Sequence, residues 1–291
     1  MALDIRAFTR QVRVLDGAWG TQLQQHGLPE GSCPEHWNDE NPSAVEAVAR
    51  SYVEAGSDAI LTNTFGGNRF VLAGHGLADR AAELCEQGAA ISRWAVADTE
   101  TKVFGSIGPT GKIVMMEEVP EDDLRAAFAA AAGALERGGV DALVLETFNE
   151  LAEVKLAFAA ARDATDLPIV CCMTFSSGPD KTRTMMGTSP AELAAFAAEA
   201  GAAGVGANCG VGPENYRTVA AMLREATGLP IWIKANAGLP VVRDGKTVFP
   251  MAAAEFASHV PALVAAGANL VGGCCGTSPE FIREIRAVLA G

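Results

Sequence analysis

The sequence predicts an α/β protein folded as a single (β/α)8 TIM barrel, on three observations. Eight short β-rich runs alternate with Ala-rich helical patterns along the 291 residues. The runs are apolar with little alternation, as strands covered on both faces are. No Pro/Ser-rich linker or shift of composition interrupts the series, so residues 1–291 read as one domain. An open doubly wound sheet shares the coarse pattern; the strand count favours the closed ring.

The predicted strands are RVLDG (13–17), DAILTNTF (58–65), VFGSIG (103–108), DALVLETF (141–148), PIVCCMTF (168–175), GVGANC (204–209), PIWIKANAG (230–238) and NLVGGCC (269–275). Helical patterns lie near 43–55, 78–98, 121–137, 150–164, 190–200, 213–227, 252–266 and 279–290. Several helices end in a related phrase (AGSDAI, GGVDAL, AGAAGVGA, AGANLV) whose glycine suits the left-handed cap before the chain re-enters the sheet.

Composition narrows the function classes. No stretch approaches the roughly 18 uninterrupted apolar residues of a membrane span. The N-terminal residues offer no signal-peptide pattern, so a cytoplasmic location is expected. A net charge of −13 disfavours a hold on nucleic-acid backbones or anionic lipid, which requires clustered Lys and Arg. Seven cysteines, an odd number without an export signal, point to thiol chemistry or metal binding rather than disulfides.

In a barrel of this type the working face lies where strands end and the following loops begin. The polar residues expected there are Asp16, Asn63, Thr64, Glu146, Thr147, Thr174, Asn208, Cys209, Asn236, Cys274 and Cys275. The long segments 21–43 and 176–190 are candidates to wall a pocket. Cys209 ends the sixth predicted strand and Cys274 and Cys275 end the eighth, so one strand separates them in the ring. Adjacent cysteines rarely bridge each other, whereas three converging thiolates form a soft ligand set for zinc. Neighbouring glycines (Gly206, Gly210, Gly272, Gly273, Gly276) are expected to grant the unusual dihedrals needed to aim them. Structural zinc is closed by four protein ligands, and a set of three leaves a position for substrate. Such a centre carries formal charge −1, and −2 once a thiolate joins it. It suits an electron-rich sulfur attacking carbon better than the acidification of water.

These residues resemble the homocysteine-binding zinc methyltransferase domain shared by cobalamin-dependent methionine synthase, betaine–homocysteine methyltransferase and S-methylmethionine-dependent homocysteine methyltransferases. The matching phrases run in order: DGAWGTQLQ (16–24), EAGSDAILTNTFGGN (54–68), GSIGPTG (105–111), LVLETF (143–148), GANCGVGPE (206–214), KANAGLP (234–240) and GGCCGTSPE (272–280). The resemblance implies zinc held by Cys209, Cys274 and Cys275, and methylation of homocysteine to methionine. It further implies Asn236 near the fourth position, and Asp16, Gly17 and Glu146 holding the amino-acid part of homocysteine.

The donor is less defined. TNTFGGN, TRTMMGTSP and KANAGLP are most similar to the cobalamin-dependent branch, yet the sequence carries no DxHxxG cobalamin motif. A corrinoid would then be carried by a partner protein. Small onium donors (S-methylmethionine, a betaine, dimethylsulfoniopropionate) are the other class. A non-catalytic homocysteine- or zinc-binding subunit of a larger assembly, and a methyltransferase for a different thiol, are the alternative functions. Of the remaining candidates, Cys171 and Cys172 read as core, Cys85 as a helix residue and Cys33 as a loop residue. Trp37 reads as either a pocket wall or a surface hydrophobe. Met115, Met116, Met185 and Met186 read as gap fillers or as an apolar face for the donor. No histidine falls at a predicted strand end, so histidine acid-base catalysis is not indicated.

Overall fold

The computed structural model describes residues 3–243 and 246–290. Its main sheet has eight parallel strands: β1 (Arg13–Val14), β2 (Ala59–Leu61), β3 (Lys102–Ile107), β4 (Ala142–Phe148), β5 (Ile169–Met173), β6 (Gly204–Asn208), β7 (Ile231–Ala235) and β10 (Leu270–Gly273). Their order, β1-β10-β7-β6-β5-β4-β3-β2, is consecutive around a ring. A parallel bridge between Leu15 and Ala59 joins the two ends, so the sheet is a barrel and not the open alternative. Helices Pro42–Glu54, Ala81–Ala95, Glu121–Arg137, Leu151–Ala164, Pro190–Glu199, Pro213–Ala226 and Pro279–Ala290 lie close to the predicted ranges. No described helix is long and apolar enough to cross a membrane.

Two departures have local causes. The single helix expected over 252–266 is broken into Ala253–Ser258 and Val260–Ala265, because Pro261 lacks an N–H and its ring collides with the carbonyl four residues back. Within the predicted loop after β7, an antiparallel hairpin forms from β8 (Val241–Arg243) and β9 (Lys246–Val248).

The barrel interior is layered. Leu61, Phe104, Val144, Val170, Cys172, Trp232 and Leu270 form an apolar plug, in which the Phe104 and Trp232 rings approach to 5.3 Å between centroids. Because strand side chains repeat every second residue, the next inward positions toward the C-terminal ends are Ser106, Glu146, Asn208 and Lys234, all buried. Apolar filling thus gives way to polar filling within one pleat. Trp232 fits only because its β6 neighbour is Gly206, where a Cβ would overlap the Trp232 carbonyl oxygen and ring stem. Gly206 therefore serves close approach rather than unusual dihedrals, and Gly272 does likewise, a Cβ there standing 2.7 Å from the Asp16 carbonyl oxygen. Gly206→Ala is expected to lower stability by about 1–3 kcal/mol through overpacking. Gly20→Ala, a site with no atom within 4 Å of the added Cβ, should stay within about 0.5 kcal/mol. Urea midpoints of the two variants check the contrast.

Candidate metal and thiol site

The three cysteines expected to converge do so. The Sγ atoms of Cys209, Cys274 and Cys275 lie within 4.8 Å of one another, with Cys209 and Cys275 at 3.9 Å. Backbone hydrogen bonding to the intervening strand sets this meeting: Cys209 N donates to the Lys234 carbonyl (2.9 Å) and Cys274 N to that of Ala235 (2.6 Å). Both strands then turn away sharply. Cys209 itself takes a left-handed conformation (φ 64), followed by Gly210 (φ 67), and Gly276 (φ 81) does the same after Cys275. A left-handed non-glycine residue is costly and persists where the surroundings enforce it. Here the sulfur reaches the cluster only through that turn.

Electrostatics show a set of thiols sharing protons. Hydrogen bonds from Cys274 and Cys275, together with the Asn236 side chain, pull Cys209 far down the thiol range against the cost of burial. The same bond to Cys209 pushes Cys275 up to about 12 and Cys274 higher still. One thiolate is thus already stabilised by the chain. The donors fit zinc: tetrahedral coordination at about 2.3 Å puts sulfurs about 3.8 Å apart, the spacing of the Cys209–Cys275 pair. No His, Asp or Glu joins the cluster among the described residues, which leaves three protein ligands. Asn236 sits at the cluster, its Oδ1 accepting from Cys275 N at 3.1 Å.

Glu146 occupies an irregularity in β4, where the register to β5 shifts between Leu145 and Phe148 and Thr147 is left-handed (φ 67). Bulges of this kind re-aim side chains. Asn208, at the end of β6 and one strand removed from β4, fastens this one: its Oδ1 accepts from Thr147 N (2.8 Å) and its Nδ2 donates to Thr147 Oγ1 (2.7 Å) and Glu146 Oε2 (3.2 Å). Ser106 Oγ donates to Glu146 Oε1 at 2.5 Å. Burial raises the Glu146 carboxyl above the ordinary range, with Lys234 and the Ser106 bond opposing.

Asp16, just past β1, is fully buried. Its Oδ1 meets the Lys234 ammonium in an ion pair, and its Oδ2 accepts from Trp19 Nε1 and Leu61 N, both at 2.7 Å. Gly17 adjoins it, packed so that a Cβ would stand 2.7 Å from Thr277 Oγ1 and 2.8 Å from Tyr52 Oη. Thr277 in turn ties the first loop to the cysteine loop, accepting from Ala18 N (3.1 Å) and donating to the Cys274 carbonyl (2.7 Å).

Sequence reasoning missed Lys234, Ser106, Trp19 and Thr277. Lys234 was within reach: period-two alternation from Trp232 puts it inside the barrel. Trp37, considered as a pocket wall, instead begins the helix Trp37–Glu40 and packs on the core. The next residue, Asn38, is bonded to the Asn63 and Leu84 carbonyls. Cys171 and Cys172 are buried in β5 as expected. The four loop methionines are exposed rather than filling gaps.

The sequence model of the family described as homocysteine S-methyltransferase matches residues 13–289. Methionine synthase of Mycobacterium tuberculosis is 35% identical over 97% of this chain and 25% of its own. That of Mycobacterium leprae is 34% identical over 98% and 25%. The chain therefore spans about a quarter of the length of these relatives. Among solved structures, the metallated form of the homocysteine methyltransferase MmuM from Escherichia coli superposes with a TM-score of 0.81 at 23% identity, covering 98% of this chain and 99% of that one. By the match across residues 13–289, this chain belongs to the homocysteine S-methyltransferase family.

Proposed function

We propose that the chain is an S-methyltransferase that binds zinc through Cys209, Cys274 and Cys275 and transfers a methyl group from a donor to the sulfur of homocysteine, giving methionine, a proton and the demethylated donor, which leaves with the electron pair of the broken bond. The convergence of the three sulfurs within 4.8 Å carries the assignment. Zinc held there supplies a soft Lewis-acid site at which a thiol ionises near neutral pH while remaining nucleophilic.

The surrounding residues orient the substrate. Glu146 presents a carboxylate to the ammonium group, while Asp16 and Gly17 shape the same end of the pocket. The Gly17 N–H has no hydrogen-bond partner among the described residues and is available to the substrate carboxylate. Asn236 braces Cys275 beside the position the incoming sulfur takes in this reading. Thiols of this kind keep their free, metal-binding form in a reducing, cytoplasmic setting.

Two donor classes fit a thiolate acceptor: a methyl-corrinoid on a partner protein, or a small onium compound read directly. A further observation favours the partner. Eight large exposed apolar residues, Phe65, Met115, Met116, Met185, Met186, Leu239, Val241 and Val242, lie in loops that follow strand C-terminal ends and so share the face with the cysteines. Exposed apolar side chains of this kind suit contact with a macromolecular surface.

Purified protein should contain about one zinc per chain. Cys209→Ala, Cys274→Ala and Cys275→Ala should each abolish both metal content and methionine formation; full activity in any of them would refute the assignment. Glu146→Gln should raise KM for homocysteine about 10- to 100-fold, the worth of a charged hydrogen bond, with zinc content unchanged. Because burial raises Glu146 from its ordinary 4.5, its carboxylate is lost as pH falls through that raised value. The homocysteine kcat/KM should therefore decline on acidification from above pH 4.5, and Glu146→Gln should remove that part of the limb. A methionine-formation assay across free methylcobalamin, a methyl-corrinoid protein and the small onium compounds decides the donor. Turnover with a small donor alone excludes a purely binding role.

A further inference from the structure

Tyr216 is a buried polar residue that no part of the proposed reaction uses. It lies in the first turn of the helix Pro213–Ala226, which follows β6, and it is fully buried. Helical side chains lean toward the N-terminus of their own helix, so the ring reaches back along the chain to the turn that carries Cys209. There its Oη lies 2.7 Å from the Cys209 carbonyl oxygen and 2.9 Å from that of Asn208.

A phenol has one proton to donate. The Asn208 carbonyl already accepts from Thr174 Oγ1 at 3.0 Å, and the Cys209 carbonyl is the nearer of the two, so the proton goes to Cys209. The other donor to that carbonyl, Val211 N at 2.8 Å, comes from two residues along the same turn. The Cys209 N–H, bonded to the Lys234 carbonyl (2.9 Å), fixes how the residue leaves β6 but not how its carbonyl is directed. Tyr216 reaches that carbonyl from the following helix and holds the far side of a residue whose φ of 64 is costly for anything but glycine.

We propose that Tyr216 is a positioning residue for the metal centre: its hydroxyl, by holding the Cys209 carbonyl, keeps Cys209 in the left-handed conformation that brings its sulfur to Cys274 and Cys275. The proposal rests on the zinc reading above and adds to it a residue outside the ligand set. The strain at Cys209 is then borne by the fold before a metal arrives. Without the hydroxyl, Cys209 relaxes and metal binding must restore the turn.

Chelator competition on the full chain measures the effect on zinc. Tyr216→Phe should raise the zinc Kd about 10- to 100-fold, the usual worth of a partner that orients a metal ligand. Thr101→Val is the control. It removes a buried hydroxyl bond of the same kind, from Thr101 Oγ1 to the Ser57 carbonyl (3.0 Å), at the other end of the barrel, where Ser57 and Thr101 precede β2 and β3. It should lower the thermal midpoint and leave the Kd unchanged. Wild-type zinc affinity in Tyr216→Phe, or equal weakening in Thr101→Val, overturns the proposal.

The conformation itself is read without metal, from the urea midpoints of Cys209→Gly and Cys209→Ala. Alanine bears left-handed strain and glycine does not, so the glycine variant should be the more stable. Combined with Tyr216→Phe, the order should reverse, because alanine is favoured at an ordinary position. A glycine advantage that persists undiminished there means that the turn holds without Tyr216, and the proposal fails. Should Tyr216→Phe not fold, Tyr216→Leu, which also lacks the hydroxyl, replaces it in both measurements; an alanine variant more stable than the glycine variant in the wild-type background is by itself a refutation. A wild type that binds no zinc fails the zinc reading, and the metal-free midpoints still judge Tyr216.

Discussion

Closure of the barrel is the constraint on which the site depends. Cys209 and Cys275 are separated by 66 residues, a full helix, strand and helix with their loops. Their sulfurs meet because β6 and β10 both hydrogen-bond to β7. In a ring, neighbours are fixed by hydrogen-bond register rather than by loop entropy, so the ligands are placed before any metal arrives. What register cannot do is point two strand ends toward each other over an intervening strand. The left-handed turns at Cys209, Gly210 and Gly276 complete that last reorientation. Backbone strain at Cys209 thus has an evident return in geometry.

Above the plug of Phe104, Trp232 and their neighbours, the interior is lined by the buried polar side chains of Ser106, Glu146, Asn208 and Lys234. A low local dielectric strengthens each interaction in the layer and makes each unmatched charge more expensive. The Lys234–Asp16 pair and the neutral donors on Glu146 are two solutions to the same problem. The first cancels a charge, whereas the second only soothes it. Proteins tolerate such local inconsistencies mainly at working sites.

Much of this was legible in the sequence, for identifiable reasons. Eight apolar runs with glycine-capped returns specify strand count, and in a parallel barrel strand count specifies neighbours; the cysteine cluster followed from that alone. Lys234 was overlooked because a lysine in a strand invites a solvent-facing interpretation, although alternation from Trp232 places it indoors. The β4 bulge at Glu146 and Thr147 leaves no compositional trace, since neither residue is a glycine. The broken helix was written in Pro261. The hairpin after β7 was written in the Asp244-Gly245 pair between Val-Val-Arg and Lys-Thr-Val, a strong hairpin signal masked by the expectation of a plain loop. The glycines beside the cysteines were assigned one role where the structure divides two, dihedral freedom at Gly210 and Gly276 and bare space at Gly206 and Gly272.

The two ends of the reaction are treated unequally by this fold. In the proposed reading the acceptor meets Glu146, the Gly17 N–H, which has no hydrogen-bond partner among the described residues, and three sulfurs, all held by strands or the turns that leave them. The loops on the same face expose Met115, Met116, Met185 and Met186, flexible side chains that adapt to varied surfaces, beside the exposed charges of Glu117, Glu118, Lys181 and Arg183. Rigid polar recognition on one side and adaptable apolar contact on the other is the division expected when one substrate is a small zwitterion and the other arrives on a macromolecule. A small onium donor would need a built pocket of its own, with aromatic faces or fixed carboxylates to stabilise its cation. Exposed, adaptable methionines on the face that carries the cysteines are what the proposed delivery of the methyl group by another protein would use.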